Sequence, residues 1–331
     1  MIAILLLIFS FALILWSAEF FTNGIEWLGS KLNMTQGAVG SILAAIGTAL
    51  PETIIPLLAI FFAHDKQMGH EISTGAILGA PLMLSTIAMG VVGTSIFVFC
   101  KMGKRDAPFA EVDNPHMRRD MIFFLTAFAI AVGAAFVPAG PVKWIIAVVL
   151  AGVYALYVYQ VLQHPGEGVE DMAPLYMSRR KADNPHMVLV VIQVILALTV
   201  MVLGAKLFVN QVEFIAKTLS VPALVLSLVI APLATELPEK FNSVVWLRVN
   251  KDTLAIGNIT GAMVFQSSVI PIAGILLTEW RFGRVELVSI AITFLSTLLV
   301  FLALGRKNRV PYWVFATGGL FYVVFITYAI L

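Results

Sequence analysis

The chain is short of charge. Of its 331 residues only 12% are Asp, Glu, Lys or Arg, about half the ~25% of a water-soluble domain. So few polar groups cannot cover a surface that faces water. A net charge of +2 offers no footprint for a polyanion, which sets nucleic acid aside as a partner. The single cysteine, Cys100, excludes an internal disulfide, and no Cys/His cluster has zinc spacing. A nucleophile–base pair, a cofactor loop and an HExxH string are also missing, so the chain reads as no enzyme and as holding no resident cofactor. What is plentiful is apolar: 60% of residues come from AVILMFWYC, and mean hydropathy is +0.95. This is the composition of an all-α polytopic membrane protein.

A spanning helix takes about 20 mostly apolar residues. Candidates fall at 2–20, 36–62, 72–99, 120–138, 142–162, 187–209, 221–247, 253–278, 285–304 and 310–331, ten transmembrane helices in all. The first lacks a cationic lead and a small-residue cleavage site, so it reads as a helix rather than a removed signal. With the amino terminus outside, the inner connections carry 14 Lys and Arg and the outer ones 5. The positive-inside rule favours that orientation, with both termini outside and the chain integral to the cell (inner) membrane.

A polar linker, 163–186, separates residues 1–162 from 187–331, five expected helices on each side. The halves share strings in their second and third helices. Thr48-Ala49-Leu50-Pro51-Glu52 answers Thr235-Glu236-Leu237-Pro238-Glu239, 187 residues apart, and Gly75-Ala76-Ile77-Leu78-Gly79-Ala80 answers Gly257-Asn258-Ile259-Thr260-Gly261-Ala262, 182 apart. Five is odd, so the second copy enters the membrane from the opposite side. The pattern predicts two inverted-topology five-helix repeats with a site at the midplane.

Carboxylates at that depth are the chemistry-bearing residues. A charge at the centre of a span costs at least ~2.5–3.5 kcal/mol on insertion scales. Glu52 falls near the middle of 36–62, and Glu236 and Glu239 near the middle of 221–247. Carboxylates crowded at one level repel one another and hold protons unless a cation sits among them. Hard oxygen ligands suit Ca²⁺, and to a lesser degree Mg²⁺ or Mn²⁺. Pro51 and Pro238 lack an N–H, which frees the carbonyls of Gly47 and Ala234 four residues back. Thr48 and Thr235 each precede a glutamate by four and share its helix face. A plain kink is the competing reading of the prolines, and Lys240, four after Glu236, offers that carboxylate a structural ion pair instead of a ligand's role.

At these residues the sequence resembles the calcium/cation antiporter superfamily, in particular the sodium/calcium exchanger membrane region. The family repeats Gly-Thr-Ser-Leu-Pro-Glu and then Gly-Asn-x-x-Gly-Ser-Asn. Gly47-Thr48-Ala49-Leu50-Pro51-Glu52 departs from the first string at one position, and Ala234-Thr235-Glu236-Leu237-Pro238-Glu239 is its second copy. The resemblance implies an alternating-access antiporter that exchanges Ca²⁺ for Na⁺, or in some branches H⁺ or K⁺. It implies Glu52 and Glu239 as paired ligands, oxygens from Thr48 and Thr235, and an amide from Gln266. Ala49, Glu236, Ala80 and Ala262 stand where the family has serine, Pro81 and Met263 where it has asparagine, and Leu84 where an amide is due. Those serines and amides serve flanking sodium sites, so their loss points to fewer Na⁺ ions or to H⁺ as the counter-ion. The expected partners are therefore divalent and monovalent cations and the lipid bilayer. The alternatives are an H⁺-coupled Mn²⁺ or Mg²⁺ exchanger, and a transport-inactive scaffold or sensor that keeps the fold.

Asp113-Asn114-Pro115-His116-Met117 recurs as Asp183-Asn184-Pro185-His186-Met187. Asn or Asp as N-cap with Pro at the first helical position predicts a helix start at both places. His64 and His70 are read as solvated loop residues. Gly75 and Gly79, like Gly257 and Gly261, are small-xxx-small pairs that permit close helix packing.

Overall fold

In lipid every backbone polar group must be satisfied within its own element, so long apolar stretches fold as helices. The computed structural model describes residues 2–32, 49–105, 107–112, 114–163, 173–178, 185–304 and 308–330, leaving aside the side chains of 234, 237–242 and 330. Along the chain run α1 (Ile2–Lys31), α2 (Leu50–Phe62), α3 (Lys66–Lys101), β1 (Phe109–Glu111), α4 (Asn114–Phe136) and α5 (Pro141–Gln163). After the linker come α6 (Met187–Leu219), α7 (Ala223–Arg248), α8 (Asp252–Leu277), α9 (Arg284–Ala303), β2 (Arg309–Pro311) and α10 (Tyr312–Ile330). Eight helices among the described residues are long and apolar enough to cross a membrane, against the ten expected. The other two, α2 and α7, contribute shorter apolar stretches, Leu50–Phe62 and Ala223–Leu233. These are the helices of the two Pro-Glu strings.

Neighbour relations follow a rule. The α1 helix lies along α6; α2 packs on α6 and α1 on α7; α3 packs on α7 and α8 on α2. Likewise α4 meets α8 as α9 meets α3, α5 meets α8 as α10 meets α3, and α4–α5 and α9–α10 form hairpins. Replacing each helix in these pairs by the one five places on returns another of them.

The connections sort to two ends. At one end β1 pairs antiparallel with β2, Ala110 opposite Val310, joining the segment after α3 to the one before α10. Beside this ribbon Arg105 is buried and grips Asp252, at the start of α8, through both carboxylate oxygens (2.6 Å each). Its Nη1 also donates to the Leu247 carbonyl (2.7 Å), while Asp252 accepts from the Glu111 N–H (2.9 Å). Part of the linker docks where the last turns of α1 lie beside the first turns of α6. Trp27 Nε1 donates to the Ala173 carbonyl (2.9 Å), the Asn23 and Gln193 side chains accept from the Tyr176 and Met177 N–H groups (3.1 and 2.9 Å), and Leu175 is buried against Trp27 and Val190. At the opposite end Glu213 lies 3.3 Å from His64 Nδ1 and accepts from the Asp65 N–H (3.2 Å), and Lys143 donates to the Glu279 carbonyl (2.8 Å). Three of the segments that the charge count groups together, those after α3, before α8 and before α10, thus meet at one end.

Several local expectations change. Asp65 caps α3 by accepting from the Gln67 and Met68 N–H groups (2.9 and 3.2 Å), so the helix starts early and takes in His70. The two Asn-Pro-His strings are not equivalent. Asn114 and Pro115 open α4, whereas α6 starts only at Met187, with the His186 ring accepting from the Val188 N–H (3.3 Å) and Pro185 outside the helix. Within α3, Leu84–Ala88 is one π-turn. Ser296 of α9 donates to the Ser85 carbonyl there (2.5 Å), giving it a partner from the neighbouring helix, and the Gly318 backbone of α10 packs directly on Thr86. Gly75 and Gly79 press α3 onto α7: a Cβ on Gly75 would stand 2.6 Å from the Leu224 carbonyl oxygen, and one on Gly79 would overlap that of Leu228.

Candidate cation site

Pro51 lies in the first turn of α2, where a missing N–H costs nothing, so it starts the helix instead of kinking it. That position places Glu52 in the first turn, beside the positive end of the helix dipole, and the residue is buried. Pro56, one turn on, supplies no N–H to the Glu52 carbonyl. In α7 the helix runs on through Pro238 to Arg248.

Glu236 and Gln266 meet. Glu236 is wholly enclosed, Gln266 is 2% exposed, and the Gln266 amide Nε2 donates to Glu236 Oε1 across the α7–α8 interface. Beside the metal or the Lys240 pair that helical spacing suggests for Glu236, this amide on the next helix is a further partner. Gln266 Oε1 is buried and meets no hydrogen-bond donor among the described residues. Such an oxygen is available to a cation. Thr235 is buried, and its hydroxyl donates to the Ala231 carbonyl (3.2 Å), leaving its lone pairs outward from that bond. α2, which carries Glu52, packs on both α7 and α8.

The remaining candidates divide by what is described. Gly47 and Thr48 lie outside the described residues. Ala234 and Glu239 belong to α7 by their backbone, but their side chains, like that of Lys240, are outside the description. Among the described residues no three His, Cys, Asp or Glu side chains gather as a metal cluster. The pairing that is present joins one carboxylate and one amide, both buried, near the middle of two adjacent helices.

Charge inside the spans was missed in one place. Asp120 is buried in α4, accepting from the Thr260 hydroxyl of α8 (2.8 Å) and from Arg119 (3.0 Å). An acidic residue a few positions into an apolar helix is the signal that could have found it.

With this geometry in hand, comparison defines the class. The sodium/calcium exchanger protein family matches residues 2–163 and 189–331, and the chain belongs to that family of membrane antiporters. Among its relatives are an uncharacterised membrane protein of Methanocaldococcus jannaschii (23% identity over 95% of this chain and 92% of the relative) and a putative antiporter, CaxA, of Alkalimonas amylolytica (23%, over 94% and 93%). Two solved structures share the fold. A crystal structure of the H⁺/Ca²⁺ exchanger CAX aligns at TM-score 0.75 and 16% identity, covering 99% of this chain and 86% of that one. The sodium-calcium exchanger NCX_Mj aligns at TM-score 0.60 and 19% identity, covering 98% of both.

Proposed function

We propose that this antiporter exchanges Ca²⁺, or a similar divalent cation, for H⁺ or Na⁺ by alternating access at one midplane site. The ligands are Glu52 and Glu239, one from each half, with oxygens from Thr48, Thr235, Gln266 and the Gly47 and Ala234 carbonyls, and with Glu236 alongside. The halves are 1–162 and 187–331, ten spans in inverted repeats joined by 163–186, with both termini outside. The exchange of neighbours under a five-helix shift supports that arrangement. The observation that carries the reading is the buried Glu236–Gln266 contact, on helices that both pack against the helix of Glu52. Buried carboxylates are costly, and hard oxygen groups gathered at one level are the chemistry that a divalent cation takes.

The residues favour H⁺ over several Na⁺. Glu236 puts an ionisable carboxyl group where the family has a serine oxygen, and Leu84 removes an amide from the first half. Purified protein in sealed vesicles, loaded so that Na⁺ and pH gradients are imposed separately, tests this. Divalent uptake should follow the pH gradient; uptake driven by Na⁺ alone and indifferent to pH would overturn the proton reading. A panel of competing Ca²⁺, Mn²⁺ and Mg²⁺ ranks the metals, and absence of divalent flux under every gradient would leave the scaffold reading.

A further inference from the structure

At the ribbon end, α4 and α5 border an open groove of about 340 Å³ lined by Pro115, Arg118, Arg119, Ile122, Phe123 and Gln160. Two guanidinium groups share it. Arg119 is engaged by Asp120 through Nε and Nη2 (3.2 and 3.0 Å) and lies over the Tyr157 ring. Arg118 stacks on Phe301 (4.9 Å to the ring centroid), and among the described residues no carboxylate reaches ion-pair distance of it. Among the described residues one carboxylate is set against two guanidiniums there, which gives the groove a net positive charge.

Its position is as informative as its charge. Arg118 sits four residues into α4, about 6 Å from the helix start, the depth of a headgroup. Toward the middle of the spans the same surface turns apolar, with Ile122 47% exposed on α4 and Leu156 51% on α5. Apolar side chains uncovered on spanning helices face hydrocarbon. We propose that this groove binds an anionic phospholipid, its phosphodiester between Arg118 and Arg119 and its acyl chains along Ile122 and Leu156. Guanidinium is the group suited to phosphate oxygens, and the apolar lower wall selects a lipid over a free phosphate ion. The headgroup shares Arg119 with Asp120, and Asp120 holds the Thr260 hydroxyl of α8, so bound lipid rests against the contact that secures the helix of Gln266. None of this depends on which ions are exchanged.

The test uses the full chain reconstituted in phosphatidylcholine with a minor fraction of phosphatidylglycerol, the lipid retained on extraction being quantified by mass spectrometry. Wild type should enrich phosphatidylglycerol; Arg118→Gln should cut the enrichment about fivefold, the effect of one basic residue near an anionic surface. Lys101→Gln, which removes a charge at the same end outside the groove, should leave it unchanged. If R118Q perturbs folding, as judged by elution and thermal unfolding, Gln160→Glu must give the same loss. Equal losses in R118Q and K101Q would mean a diffuse field and no site, and unchanged retention in folded R118Q would also overturn the proposal. Displacement of the lipid by inorganic phosphate would assign the groove to the free ion instead.

Discussion

Two helices in corresponding places, α3 and α8, differ in what they bring to the interior. Nine residues past the first glycine of each Gly-x-Ile string, α3 has Leu84 and α8 has Gln266. Leu84 opens the π-turn whose Ser85 carbonyl is met by Ser296, and the turn packs against the backbone of α10. Gln266 continues a helix and reaches across to Glu236. One scaffold therefore serves two tasks: the first half spends this position on helix packing, the second on a buried polar pair. Matched neighbours do not require matched chemistry.

The comparison can be broken most severely where α8 is tied down. Arg105→Leu leaves the buried Asp252 carboxylate without its guanidinium and should cost about 3–5 kcal/mol, read as a large drop in thermal unfolding temperature in detergent. Next comes Gln266→Leu, which gives α8 the residue that α3 carries. It should lower divalent affinity about 10–100-fold, as loss of a group that orients a metal's ligand does, measured as the concentration dependence of vesicle uptake. An unchanged affinity would show that Gln266 only packs.

The glycine pairs sharpen the contrast at smaller scale. Gly79→Ala forces a Cβ into the Leu228 carbonyl of α7 and should destabilise by about 1–3 kcal/mol. At Gly261 the added carbon would stand 3.5 Å from the Tyr157 hydroxyl, an ordinary contact, so Gly261→Ala should change unfolding little. Between the two falls Ser296→Ala, which takes a donor from the π-turn carbonyl and should cost about 0.5–1.5 kcal/mol. Parallel melting curves of the three variants decide both orders.

What could be read in the sequence was what lies along one helix. Apolar run length located the spans, and Pro-Glu strings located the helices with buried carboxylates, Glu52 among them. What depends on a neighbour was hidden. Spacing along α7 suggested Lys240 for Glu236, whereas the hydrogen bond from Gln266, 30 positions later on another helix, could not be seen that way. The π-turn arises where α9 and α10 press on α3, and no propensity of Leu84–Ala88 announces it. α6 continues ten residues past its expected end at 209 because Glu213 finds His64 and Asp65 on the α2–α3 turn, so a charge that looked like a boundary is absorbed. The Gly75 and Gly257 strings looked alike, yet only contact with Leu224 and Leu228 explains the first pair.

The measurement that bears most directly on the account is a Ca²⁺ binding isotherm of purified wild type beside Glu52→Gln and Glu239→Gln, all shown to be folded. A single shared ion predicts that each substitution alone abolishes tight binding. Retention of wild-type affinity in either variant would contradict it.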